Sequence, residues 1–283
     1  MDAGKATQGK NYQDFSPPEG DKMPKKQKTK RSLPVRIARG VILAVVLCAA
    51  VVLVLRLLEY KQGADVYGQL QAEMGVVSGG ESQTGDSEDG EEKEPPLLDI
   101  DFERLWSENQ EVVAWLEFPA LHISYPIMHT DNNDYYLSHL WNGQPNSSGS
   151  IFLDANNKSV DDLYTVVYGH NMYDGSMFGL FNRYESSEFC EENGAYFRVY
   201  TPDAVWKYEI FTSAKVPYDD PLYTVGYTQG ELYNKLLDRL ASSTMYDTGY
   251  HVQHGDTVMT LSTCTGSDTV RRILCGRRSE KLK

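Results

Sequence analysis

The stretch Thr260-Leu261-Ser262-Thr263-Cys264 alternates polar and apolar residues and ends on a cysteine. Alternation with a period of two marks a strand with one face against a core. A Thr-Gly-Ser-Asp run follows, so the strand ends and the Cys264 sulfur stands at a loop mouth. Working outward, Val166-Val167-Tyr168-Gly169-His170 lies upstream and Arg271-Arg272-Ile273-Leu274 just downstream. A thiol, an imidazole and a guanidinium supply a nucleophile, an acid/base and a fixed cation. Those are the parts needed for acyl transfer through a thioester.

Further short runs rich in Val, Ile, Tyr and Thr, separated by Gly, Asn and Asp, read as strands. They are Trp115–Phe118, His122–Met128, Gly149–Asp154, Tyr164–Tyr168, Ala195–Thr201, Val205–Ala214, Thr257–Thr263 and Arg272–Gly276. Eight such strands predict a mainly β fold of α+β type, a mostly antiparallel sheet or barrel. A helix capped by Asp99 or Asp101 is expected to open the domain, with Phe102, Leu105, Trp106, Val112 and Val113 facing the core. Between Ala214 and Thr257, Thr228-Gln229-Gly230-Glu231 reads as a capping box. Leu232, Leu236, Leu237 and Leu240 follow at helical spacing, which predicts an inserted helix before the cysteine strand.

The first hundred residues do not read as globular. Gly40 to Leu55 is an unbroken apolar run, resumed at Leu57-Leu58 after Arg56. With snorkelling ends it approaches the roughly 20 residues a bilayer needs. Lys25, Lys26, Lys28, Lys30, Arg31, Arg36 and Arg39 precede it, and positive flanks stay in the cytoplasm. A cleaved signal peptide shares this pattern, but the run is long and no small-x-small site immediately follows. The expected organisation is therefore a cytoplasmic tail (1–39), a transmembrane signal anchor (40–58), an extracellular segment (59–96) and a catalytic domain (97–283). In that third segment a helix continuing the span gives way to an acidic flexible linker, with seven acidic residues between Glu81 and Glu94. Such a stretch cannot bury enough apolar surface to fold and reads as a tether.

Residues 1–39 hold ten basic against four acidic residues, so a chain of net charge −13 carries −19 beyond them. A domain that acidic repels phosphates, and no nucleic-acid role is expected. Cys190, Cys264 and Cys275 are three cysteines beyond the span, an odd number that leaves at least one thiol unpaired within the chain. No set of Cys or His stands at metal-ligand spacing, and no cofactor is expected.

Together these motifs resemble a sortase, and more closely a class B sortase of Gram-positive bacteria. The resemblance extends through Asp101-Phe102, Trp115-Leu116, Ile123-Ser124-Tyr125-Pro126-Ile127, Asp134-Tyr135-Tyr136-Leu137 and Gly149-Ser150-Ile151-Phe152-Leu153-Asp154. It implies Cys264 as nucleophile and His170, 94 residues earlier, as the proton donor and acceptor. It assigns the arginine to Arg272, directly before Ile273-Leu274. Arg271 and Arg272 face opposite sides of a strand, so only one enters the site. Ser262, Leu137, Leu222 and Tyr223 would line the substrate groove. The resemblance implies a closed β-barrel; the inserted helix separates class B from the smaller class A, and Asp220-Pro221 lying late in the chain favours class B over the pilin-building class C. Ala155-Asn156-Asn157 departs from the more basic segment expected there.

The function implied is a cysteine transpeptidase that cleaves an Asn-Pro-x-Thr-like sorting signal after Thr. Its partners would be signal-bearing surface proteins, a peptidoglycan cross-bridge or pilin amine as acceptor, and the membrane. A papain-like hydrolase places its cysteine before its histidine, the reverse of the order here. An anchored binding module without catalysis explains the anchor, tether and strands but leaves the Cys-His-Arg set as coincidence.

Overall fold

A computed structural model describes residues 33–75 and 94–283. Most of the expected acidic tether, and the start of the basic tail, lie outside the described residues. By its contacts the chain divides into Met1–Val51 and a compact unit from Val52 to Lys283.

The eight expected strands are all present: β1 (Val112–Phe118), β2 (Ile123–Met128), β3 (Ile151–Leu153), β4 (Tyr164–Tyr168), β5 (Tyr196–Thr201), β6 (Ala204–Pro217), β7 (Val258–Cys264) and β8 (Val270–Lys281). They close into a barrel in the order β1-β2-β3-β4-β7-β8-β6-β5. Six neighbouring pairs are antiparallel, but β2–β3 and β4–β7 run parallel. The second parallel pair positions the site. Parallel neighbours end at the same rim, so His170 and Cys264 leave the barrel side by side although 94 residues separate them.

Burial follows from the sequence pattern. Ala114, Leu116, Phe118, Ile127, Val167, Leu261 and Leu274 belong to the larger apolar core. Tyr164, Val166, Ile273 and Cys275 point to the opposite face and would be wet on an open barrel. Instead α4 (Glu231–Ser242), the helix that follows the short α3 (Ser187–Asn193), lays Tyr233, Leu236, Leu237 and Leu240 over them as a second core. Both faces of β4 are thus covered, which is why Tyr164–Tyr168 reads as a continuous apolar run and not as an alternation. Fully burying a residue such as Leu237 contributes about 1.5–3 kcal/mol.

Three local expectations need correction. No capping box forms at α4: its N-cap is Gly230, without a side-chain cap, and Glu231 pairs forward with Lys235. Leu232 is 72% exposed and Tyr233 takes its place, because the apolar stripe runs through 233, 236, 237 and 240. The first barrel helix α2 (Phe102–Glu108) is capped by Asp101 as expected, but Val112 and Val113 belong to β1.

The compact unit also begins well before Leu97. Helix α1 (Leu33–Glu73) carries Tyr67 and Leu70 into the larger core, and Met74 follows just beyond its end. Gln71 donates to the Ser124 carbonyl on β2 at 2.7 Å. Over Ile37–Glu73 the same helix has the length and apolarity to cross a membrane, with Val41 to Leu58 exposed.

Candidate active site

β4 and β7 pair Tyr168 with Ser262, and Gly169 extends the ladder by donating to the Ser262 carbonyl at 3.2 Å. His170 and Cys264 come next on their strands. Packing constrains Gly169: a Cβ there would fall 2.7 Å from the Phe178 ring. The Phe178 amide in turn donates to the His170 carbonyl at 2.9 Å.

The His170 ring is held from two sides. Its Nε2 lies 2.8 Å from the Leu137 carbonyl oxygen. A carbonyl only accepts, so Nε2 carries the proton in this arrangement. Beside the ring sits Gly149, at φ +59, where a Cβ would meet His170 Cδ2 at 3.1 Å and the Tyr136 carbonyl at 2.5 Å. Glycine is required there by both conformation and space.

Cys264 is an exposed free thiol at the end of β7. Cys275 is the opposite case. It lies opposite Thr260, whose hydroxyl donates to its sulfur at 3.3 Å, and burial pushes its thiol up to about 12. Cys190 is also free and buried.

The arginine expectation is reversed. Arg271, not Arg272, pairs with Cys264 across β7–β8; Arg272 pairs with Thr263. Directly opposed residues share a face, so Arg271 lies on the Cys264 side and Arg272 on the other. Arg271 lines the cleft, stacks near Tyr218 (6.0 Å) and donates to the carbonyls of Ser267, Asp268 and Val270. Arg272 is 6% exposed, with Nε 2.7 Å from Glu185. Lys215 reaches the other Glu185 oxygen at 2.7 Å. Burial raises the Glu185 carboxyl, but hydrogen bonds from Lys215 and Arg272 outweigh it and leave the group below its ordinary value.

These residues open onto one cleft of about 440 Å³, with Leu137, Phe152, Tyr168, Tyr223 and Ser262 as walls and Asn133 and Asp134 at one edge. Of the residues expected in a substrate groove, Leu137, Ser262 and Tyr223 are there. Leu222 is not: it is 1% exposed and packs in the α4 core, because Asp220 starts a short 3₁₀ turn that drives residue 222 inward and leaves 223 facing the cleft. The Tyr223 hydroxyl sits 2.8 Å from Ser262 Oγ, and burial pushes its phenol up to about 12 despite that bond. The Tyr168 phenol, donating to Asp154 at 2.8 Å, is pushed above its ordinary value by burial and by the Asp154 carboxylate. Both phenols stay neutral at working pH and present hydroxyls, not charges.

Sequence reading set Arg271 aside in favour of Arg272, and did not mark Tyr168, Tyr218, Phe152, Asn133 or Asp134 as lining a cleft. Tyr168 had a signal, since it directly precedes Gly169-His170 on a strand already singled out. Tyr218, which ends up beside Arg271, had none.

A closed eight-stranded barrel presenting Cys, His and Arg at one rim defines a sortase-like protein, and the comparisons agree. The sortase domain model matches residues 116–278, and the chain belongs to the sortase family, a family of cysteine transpeptidases. Sortase B of Listeria monocytogenes is 31% identical over 157 residues, which is 55% of this chain and 63% of that protein, so the match spans somewhat less than two thirds of that relative. Sortase B of Staphylococcus aureus is 26% identical over 178 residues, 61% of this chain and 72% of that protein. The X-ray structure of Clostridium perfringens sortase B superposes with a TM-score of 0.60 at 26% identity, covering 64% of this chain and all of that one.

Proposed function

We propose that the chain is a membrane-anchored class B-type sortase, in which Cys264 is the nucleophile, His170 the acid/base and Arg271 the oxyanion cation. The reading rests above all on the parallel β4–β7 pairing, which delivers His170 and Cys264 to one cleft with Arg271 across from the sulfur.

The Cys264 thiolate attacks the carbonyl carbon of the signal's threonine, and its lone pair forms the C–S bond as the carbonyl electrons move to oxygen. Arg271 stands where a guanidinium can steady that oxyanion. The C–N bond then breaks, and His170 gives its proton to the departing amine. In the second half His170 takes a proton from the incoming amine as its nitrogen attacks the thioester, and the thiolate leaves. Leu137, Tyr168, Tyr223 and Ser262 would hold the peptide through apolar walls and neutral hydroxyls. An Asn-Pro-x-Thr-like signal and an acceptor amine on a peptidoglycan cross-bridge or pilin are the substrates this reading takes from the family. Residues 1–39 would be cytoplasmic and 40–58 would span the membrane, with the barrel outside.

The test is cleavage of fluorogenic Asn-Pro-x-Thr and Leu-Pro-x-Thr peptides by the full chain in detergent, with mass spectrometry for an acyl-enzyme. Cleavage with an adduct on Cys264, both lost in Cys264→Ala, is the expected result. Full activity in Cys264→Ala would overturn the mechanism.

A further inference from the structure

The second half of α1 reaches the candidate site through one loop. Glu59, Gly63 and Tyr67 recur every four residues and so share one helix face. All three meet the segment 146–150. Glu59 accepts from the Ser147 amide at 2.8 Å, and its backbone carbonyl accepts from the Asn146 side-chain amide at 2.8 Å. The Ser147 amide bond, offset in part by burial, holds the Glu59 carboxyl below its ordinary value. Gly63 packs so closely that a Cβ would lie 3.1 Å from both Asn146 Oδ1 and Ser148 Oγ. The Tyr67 hydroxyl, buried, donates to the Gly149 carbonyl at 2.9 Å and lies 2.9 Å from the Ser150 hydroxyl.

From Gly149–Ser150 two short paths lead to His170. Gly149 borders the ring so closely that a Cβ there would lie 3.1 Å from His170 Cδ2. The Ser150 amide donates to the Tyr136 carbonyl at 2.9 Å, which fixes the turn whose next carbonyl, that of Leu137, accepts from His170 Nε2. Leu137 ends a single short 3₁₀ turn, Tyr135–Leu137, and the Ser150 amide ties that turn to the clamped segment from outside. The contacts run from helix to loop to imidazole with no gap.

We propose that Tyr67 is a positioning residue for the reaction: the helix that continues from the apolar segment clamps Gly149–Ser150 and thereby sets the His170 ring. The inference rests on the sortase reading for its consequence in catalysis, but its geometric content is independent of substrate. Tyr67→Phe removes one hydroxyl and leaves the ring packed on Tyr125 (centroids 5.0 Å apart).

The experiment compares Tyr67→Phe with Leu70→Ala, a buried change on the same helix with no polar link to the loop, each in the full chain in detergent. Carbethoxylation of His170 by diethylpyrocarbonate, followed by peptide mapping, reads the imidazole without any substrate. Peptide cleavage reads kcat and KM. Tyr67→Phe is expected to speed His170 labelling about threefold and lower kcat about fivefold with KM within about twofold, the scale of one lost hydrogen bond. Leu70→Ala is expected to lower the Tm without moving His170 labelling. Unchanged labelling in Tyr67→Phe overturns the inference, and so does equal acceleration in Leu70→Ala, which would mean general loosening. Cleavage that survives Cys264→Ala defeats the sortase mechanism instead, and leaves the labelling result to decide the role of Tyr67.

Discussion

Arg271 stands directly across the β7–β8 ladder from Cys264, while Arg272, one residue on, turns to the opposite face and is bound to Glu185. Adjacent and chemically identical, the two side chains are given different surroundings by strand alternation alone.

Arg271→Ala is expected to lower kcat about 10²–10³-fold, the usual effect of removing an oxyanion partner, with the Tm almost unchanged. Arg272→Ala should do the reverse. Removing one partner of a buried pair costs about 3–5 kcal/mol, discounted here to roughly 1–3 because Glu185 keeps Lys215 and partial solvent access. Thermal melts and peptide cleavage on both variants check this. A larger kcat loss in Arg272→Ala would reinstate the arginine that the sequence pattern favours.

That reversal shows where sequence reading stops. All eight strands were legible because their apolar content and turn residues are local. The Cys-His pairing was legible because each residue ends an apolar strand. Which arginine faces the cysteine depends on whether six or seven residues close the β7–β8 loop, and a Thr-Gly-Ser-Asp-rich stretch fits either length. Leu222 and Tyr223 posed the same problem, since only the 3₁₀ turn begun by Asp220 decides which one enters the core. The docking of α1 was hidden for another reason: its apolar residues, among them Leu70 and Met74, make only an imperfect helical stripe that a helix continuing the span would also show, and the Glu59 and Gly63 contacts carry no hydrophobic signal.

Leu222 and Tyr223 therefore separate stability from binding. Leu222→Ala is expected to destabilise the chain by about 2–5 kcal/mol through the cavity it leaves in the α4 core. Tyr223→Phe deletes the hydroxyl shared with Ser262, and should raise KM about two- to fivefold with a Tm shift of only a few degrees. Denaturant midpoints and steady-state kinetics distinguish them; a KM effect confined to Leu222→Ala would reject this assignment of the groove.

Gly149→Ala tests the backbone around His170. The φ of +59 alone penalises a side chain by about 1–2 kcal/mol. The new methyl would also press on the Tyr136 carbonyl and His170 Cδ2. Loss of kcat well beyond the fall in folded fraction is expected, measured by cleavage at a temperature where circular dichroism reports a folded chain. Activity that tracks the folded fraction would show that the ring accommodates the methyl.

Alkaline stability follows from the buried acids. Cys275 is held up to about 12 against an ordinary 9.0, and Tyr223 up to about 12 against 10.0, each chiefly by burial. Between its two values each group keeps its proton in the folded chain and has lost it in the unfolded one. The native state therefore binds more protons there, and stability falls as pH rises. The stabilising preference is fully present below about pH 9, and drains from about 9 to 12 for Cys275 and from about 10 to 12 for Tyr223, at roughly 1.4 kcal/mol per pH unit for each group. The Tm should be level through neutrality and drop steeply above pH 9, and Cys275→Ala should soften the first part of that fall, which it shares with the Cys190 thiol, also raised by burial. A Cys275→Ala chain with the wild-type slope between pH 9 and 10 would place the alkaline sensitivity in Cys190 and the tyrosines.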